Sequence, residues 1–166
     1  MKKKPTPTPD LSPSIDIDAL NFLENAERDF IVELYNVDTA ADALSKTQPI
    51  QFQIDRLSAF DITVPGLTLK AGDQKGITGV SNVGGGSANQ NGDWLFRQTA
   101  GHIIATAAKK KFTIPANEDA SIGFHIKRKA GIAANVSQSI TVTIVAGSGG
   151  EIDTTNNIAV TTVSTN

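Results

Sequence analysis

The chain has 166 residues, 14 of them glycine and none cysteine, with 19% charged side chains and a formal net charge of −2. That length suits one well-filled core rather than two, and the near-neutral balance gives no general attraction to nucleic acid or to an anionic membrane. Without cysteine there is no disulfide framework, no thiolate metal site and no cysteine nucleophile.

Met1-Lys2-Lys3-Lys4 has the charge of a signal-peptide start, but Pro5-Thr6-Pro7-Thr8-Pro9 follows where an apolar run of about 7–15 residues is needed. No signal peptide is expected in this chain, and no run approaches the ~20 apolar residues of a membrane span. Residues 1–12 read instead as a proline-rich, polyproline-like arm or linker, and residues 13–166 as a single domain.

The first alternation is Ser14 to Leu20, with Ile15, Ile17 and Ala19 on one face and Asp16 and Asp18 on the other, which predicts a strand with an outward acidic pair. Phe22 to Arg28 could make one helical turn and is too short for more. Asp29 to Val37 is a strand with Phe30, Val32 and Leu34 inward, and the polar segment from Asp38 to Gln48 loops out. In Pro49 to Asp55 the alternation is strict, with Ile50, Phe52 and Ile54 inward. Phe60 to Val64 is a further strand, stopped by the turn residues Pro65-Gly66.

Leu67 to Lys70 and Ile77 to Val80 are candidate edge strands, and residues 83–92 form a glycine-asparagine loop. Asp93 to Arg97 resumes a strand, with His102 to Thr106 as its hairpin partner. After Lys109-Lys110-Lys111 and Phe112-Thr113-Ile114-Pro115 come the two cleanest period-two segments. Ala120 to Lys127 places Ile122, Phe124 and Ile126 inward; Ser139 to Val145 does the same with Ile140, Val142 and Ile144, and shows threonines to solvent. Gly147 to Gly150 breaks the sheet, and Ile158 to Val163 supplies a last strand. About nine or ten short strands at this spacing make an all-β antiparallel sandwich.

Three motifs in the second half occur in a familiar order. Trp94 sits in Gly92-Asp93-Trp94-Leu95-Phe96; Ile114 to Ala120 forms a turn before a strand; and Asp153-Thr154-Thr155-Asn156-Asn157-Ile158 leads into the final strand. On these motifs residues 92–166 resemble the bacterial conserved-repeat family known as DUF11 and, more loosely, the CARDB adhesion-type domains, with Asn117 standing where glycine is usual and without the cysteines often found near the Trp. The resemblance implies an immunoglobulin-like sandwich and a role as a repeated module or stalk in bacterial surface proteins. It concerns turns and packing rather than chemistry.

The candidate sites are few. Asp153, Asn156 and Asn157, with Glu151, offer hard oxygen ligands that could hold calcium, although an Asx-type turn accounts for the same residues. His102 and His125 are the only histidines, and His125 falls on an outward face. Lys109-Lys110-Lys111 and Lys127-Arg128-Lys129 could form a basic patch, but no stacking aromatics are interleaved, and a solvated strand end accounts for them better. For catalysis the only carboxylates to compare are Asp16, Asp18, Glu151 and Asp153, and no nucleophile elbow, zinc helix or P-loop motif is present.

The sequence therefore predicts a non-catalytic structural or adhesive module at a bacterial cell surface or outside the cell, with neighbouring copies or adjacent modules as partners. The arm and first strand, residues 1–20, would pack on a neighbour by strand addition, or else fold back on their own sandwich. The competing expectation is a carbohydrate-binding module using loops 71–92 and 109–111, with Trp94 or Tyr35 stacking on a surface glycan. An exposed aromatic in a concave site would favour the glycan, and a buried Trp94 the structural module.

Overall fold

The computed structural model describes residues 2–77, 82–83 and 87–166. Residues 78–80 of the expected edge strand and the glycine run 84–86 lie outside the described residues.

In chain order the strands are β1 (Leu11–Asp16), β2 (Asn21–Phe22), β3 (Glu27–Asn36), β4 (Ala43–Leu44), β5 (Gln51–Asp55), β6 (Phe60–Thr63), β7 (Gln74–Gly76) and β8 (Asn82–Val83). They continue with β9 (Ser87–Ala88), β10 (Trp94–Gln98), β11 (His102–Ala107), β12 (Thr113–Ile114), β13 (Asp119–Arg128), β14 (Ser137–Ile144) and β15 (Ile158–Thr165). A four-stranded sheet in the order β1-β3-β13-β6 faces a seven-stranded sheet in the order β2-β15-β14-β5-β11-β10-β7. Two short pairs, β12 with β4 and β8 with β9, complete it. The result is the expected all-β, immunoglobulin-like sandwich, and the count exceeds nine or ten because two-residue strands, which carry no periodicity, pair as well.

The alternation in the long strands decides the core. Ile122, Phe124 and Ile126 of β13, Ile140, Val142 and Ile144 of β14, and Ile50, Phe52 and Ile54 in and before β5 are all buried. Phe124 sits at the centre, 5.6 Å from the Phe30 ring in a stacked arrangement and 6.0–6.1 Å from Phe96 and Phe52 edge-on. Trp94 is fully buried, edge-on to Phe52 at 5.4 Å and to Phe112 at 5.3 Å. Offset and edge-on ring pairs of this kind add to the burial of the rings themselves.

Several expectations change. The first strand begins at Leu11 rather than Ser14, and Pro9 and Leu11 are already buried, so the exposed arm is residues 2–7 and not 1–12. Strand β1 pairs antiparallel with β3 of its own chain, which is the fold-back alternative for residues 11–16. No helix forms at residues 22–28: Asn25 adopts a left-handed φ of 62°, the backbone N–H of Ala26 bonds the Leu23 carbonyl, and Glu27 opens β3. Residues 67–70 are not a strand either; β7 takes the edge beside β10, where Lys75 and Gln74 point no hydrophobic side chain inward. The Asp38–Gln48 loop contains β4, which meets β12.

Strand β2 runs parallel to β15, unlike the other ladders between the described strands, which are antiparallel. At Asn117 φ is 61°. Asparagine tolerates that left-handed turn better than most side chains, so it can serve where glycine is usual.

Candidate functional site

The inward-facing positions at the ends of the core strands carry polar side chains, and these reach the backbone of distant segments. In β3 the parity of Phe30, Val32 and Leu34 continues to Asn36, which is 1% exposed. Its Nδ2 donates to the carbonyls of Ala41 at 2.8 Å and Ile114 at 3.1 Å, and its Oδ1 accepts from the N–H of Asp10 and of Asp38. One side chain thus ties the start of β1 to two loops.

In β13 the parity of Ile122, Phe124 and Ile126 continues to Arg128, which is 5% exposed. Its guanidinium donates to the carbonyls of Phe22 at 3.0 Å, Asn166 at 2.8 Å and Ile132 at 2.7 Å. The rigid fork of arginine suits several fixed acceptors at once. Arg128 is therefore not part of a solvated basic run. Lys127 lies 3.5 Å from Glu27, and Lys129 3.7 Å from Asp61. Lys109–Lys111 lie toward the other end of the sandwich, where the Ser45 N–H donates to the Phe112 carbonyl, so the two runs make no common patch.

At the loop before β15, Glu151 is 4% exposed. Its Oε2 accepts from the N–H of Leu11 at 3.2 Å and its Oε1 from Nδ2 of Asn157 at 2.8 Å. Burial pushes its carboxyl up from the usual range, the two hydrogen bonds oppose the shift, and the nearby Asp10 and Asp153 reinforce it. Asn156 donates to Asp10 Oδ1 at 3.0 Å. Of the calcium candidates, then, Asn156 and Asn157 turn their amide donors to the half-buried Asp10 and the buried Glu151, while Asp153 stays at the surface. The Asp153 Oδ1 accepts from the N–H of Thr155 at 2.9 Å and its hydroxyl at 2.7 Å, which holds its carboxyl below the usual range. That is an Asx-type turn. Among the described residues no group of three His, Cys, Asp or Glu side chains is placed to hold a metal.

The histidines are paired on outward faces: His125 Nδ1 is 2.7 Å from Asp29 Oδ1, and His102 Nε2 is 3.3 Å from Asp55. Asp16 and Asp18 border a small cavity with Asp29, Phe30 and Ile31. Glu151 sits at the opposite end of β1, about 17 Å away for five residues of strand, so the four carboxylates fall into two separate groups. Tyr35 lies 40% exposed on the outer face of the four-stranded sheet. It donates its hydroxyl to Glu33 at 2.6 Å, and that bond, with partial burial and the carboxylates of Glu33, Asp119 and Asp16, pushes its phenol up to about 12.

A cavity lined by Val64, Leu67, Leu69, Gln98 and Ile103 has a volume of about 170 Å³, below the 300–1,000 Å³ or so of ligand pockets. No helix among the described residues is long and apolar enough to cross a membrane.

Asn36 is not among the candidates the sequence offers, and Arg128 is there only as part of a basic run rather than as a buried anchor. The signal for both was parity: two residues past the last hydrophobic one, the side chain still points inward.

No protein-family model matches the chain, and no curated protein matches it. Solved structures with similar folds include a CARDB domain from Pyrococcus furiosus in complex with di-metal ions, 13% identical, covering 95% of this chain and 89% of that one at a TM-score of 0.44. AvmM, which catalyses macrocyclization in alchivemycin A biosynthesis, is 10% identical, with 93% and 88% covered and a TM-score of 0.46. The major pilin subunit BcpA of Bacillus cereus is 13% identical at a TM-score of 0.48; the match covers 95% of this chain but 39% of the pilin subunit. At such scores and identities these likenesses carry no functional argument.

Proposed function

We propose that this chain is a non-catalytic structural or adhesive module of a bacterial cell-surface or extracellular protein, linked in series with neighbouring modules. One observation carries the reading: the two ends of the sandwich leave at opposite poles, and each pole is fastened by a buried polar side chain. Leu11 is held by Glu151 beside the start of β15, whereas Asn166 lies past the other end of that strand and is held by Arg128. The eight residues of β15 span about 27 Å. Tension applied through the chain ends therefore runs along the strands and loads the β1–β3 ladder in shear, so that its hydrogen bonds must fail together rather than one by one.

The resemblance of residues 92–166 to bacterial surface repeats supports the placement outside the cell. Burial of Trp94 favours this reading over a glycan-binding module built on that ring, and the exposed Tyr35 has its hydroxyl engaged by Glu33. Single-molecule pulling through residues on either side of 11–166 tests it. A single abrupt unfolding event is expected, weakened by Arg128→Ala and Glu151→Ala; gradual peeling at low force, with specific retention on a glycan array, would replace it with the carbohydrate-binding reading.

A further inference from the structure

The free edge of the seven-stranded sheet carries an unfilled strand position. In β15 the backbone groups alternate in direction. The carbonyl of Asn157 accepts from Ile144, and the N–H of Thr165 donates to Val136, both toward β14. The N–H of Ser164 donates to Leu20 and that of Asn166 to Phe22, both toward β2 at the edge. By the same alternation Ile158, Val160 and Thr162 aim their N–H and C=O groups out of the edge, and β2 covers only Ser164 and Thr165. Among the described residues nothing pairs with those outward groups.

This edge also differs in composition. The other sheet edges carry Pro13 and Asp16 in β1, Asp61 in β6 and Lys75 in β7, residues that discourage strand addition. Strand β15 has no charge, no proline and no glycine. Among the described residues seven large hydrophobic side chains stand exposed: Ile158 and Val160 belong to β15 itself and Leu20 and Leu23 flank β2 on the same edge, while Ile152 lies in the loop before β15, Tyr35 in β3 and Val37 just after it.

We propose that β15 pairs antiparallel with β15 of a second copy, about a two-fold axis at Val160, so that two seven-stranded sheets become one. The occupant follows from register. With Val160 opposite Val160 of the second copy, Ile158 falls opposite Thr162, and every outward-pointing residue meets another, each pair exchanging both backbone hydrogen bonds. An uncharged strand meets itself without like-charge repulsion. Strand β2 stops the ladder beyond Thr162, and the residues before Ile158 of the second copy then approach the Leu20–Leu23 segment, where the remaining exposed leucines stand. A closed two-fold contact of this type uses the same patch on both copies. The pairing gives the module a partner and depends only on its fold, so its failure would leave the structural reading in place.

The test is sedimentation velocity on the full chain over a concentration series, with a cysteine placed at the axis. A concentration-dependent dimer is expected, shifted to monomer by Val160→Lys and by Thr162→Pro with unchanged circular dichroism, and unaffected by Val37→Lys at the other exposed site. Because the chain has no cysteine, Val160→Cys should form a disulfide-linked dimer under mild oxidation and Val37→Cys should not. A chain that stays monomeric up to the highest concentration reached, or a dimer that survives Val160→Lys and disappears when residues 1–8 are removed, would overturn the pairing.

Discussion

Strands β14 and β15 lie side by side, and they dispose of their hydrophobic side chains in opposite ways. In β14 the isoleucines and valine at 140, 142 and 144 are all buried, while in β15 Ile158 and Val160 are 62% and 58% exposed. Both segments look like half-buried strands. The difference lies in what sets the register: β14 is flanked by β5 and β15, whereas β15 is aligned by Asn157, Val163 and Thr165, which are buried, and by β1 across the sandwich. The Ser12 hydroxyl reaches the Asn156 carbonyl at 3.5 Å, and the small inward residues Ala159 and Thr161 follow beside it. Hydrophobic character alone does not choose a face; fixed neighbours do.

The central strands give the largest expected effect. Phe124→Ala should cost about 3–5 kcal/mol, since it removes a fully buried ring from a cluster of three others, while His125→Ala on the opposite face should cost under about 1 kcal/mol. Denaturant titration of the two variants measures the contrast, and equal losses would contradict the face assignment. Arg128→Ala should come next, at about 3 kcal/mol, because it strands three backbone carbonyls that the guanidinium satisfies. Arg128→Lys should recover only part of that, as an ammonium cannot reproduce the fork; full recovery would mean that charge alone matters at this pole.

These same residues show how far the sequence could be read. The hydrophobic alternation made the sandwich legible, along with the faces of β3, β5, β13 and β14, because a period of two sustained over five or more residues is what a strand buried on one face requires and a helix does not produce. The same parity, extended two residues past the last hydrophobic one, contains Asn36 and Arg128. Two-residue strands such as β2 and β4 left no sign, because their pairing depends on distant chain. Nor could the sequence show that Asn156 and Asn157 face Asp10 and Glu151, a cluster that ties the start of β1 to residues some 140 or more positions away.

A third, smaller effect tests the fastening of β1. Glu151 titrates higher in the folded protein than its ordinary 4.5, chiefly because it is buried. The native state therefore holds that proton more tightly than the unfolded chain does. Its contribution to stability is complete below the unfolded value and is lost as pH rises through the folded one. Glu151→Gln should raise stability at pH 7 by on the order of 1 kcal/mol, with the gain shrinking to nothing as pH falls below the ordinary carboxylate range. The glutamine keeps an acceptor for Leu11, and Asn157, whose Oδ1 has no partner, can turn that oxygen toward the new amide. Thermal melts of both proteins across pH measure the difference; a gap that widened on acidification would reverse the assignment.

The smallest expected effect is that of calcium, for which we predict no change in melting temperature at millimolar concentration. Calcium takes about 6–8 oxygens. The oxygens of Asp153, Asn156 and Asn157 do not converge: Asp153 accepts two hydrogen bonds from Thr155 at the surface, while Asn156 and Asn157 offer donors to Asp10 and Glu151. Asp153→Ala should accordingly leave the response to calcium unchanged and loosen only its own turn. The opposite result has a definite form. The Oδ1 atoms of Asn156 and Asn157 are buried without partners, and if both amides turned, those oxygens would face Asp10 and Glu151. A dose-dependent rise in melting temperature, lost in Glu151→Gln and Asp10→Asn but kept in Asp153→Ala, would show by linkage that a cation binds the folded state there. The fastening of β1 would then depend on an ion, and the contrast between a fixed centre and an adaptable edge would become one that calcium sets.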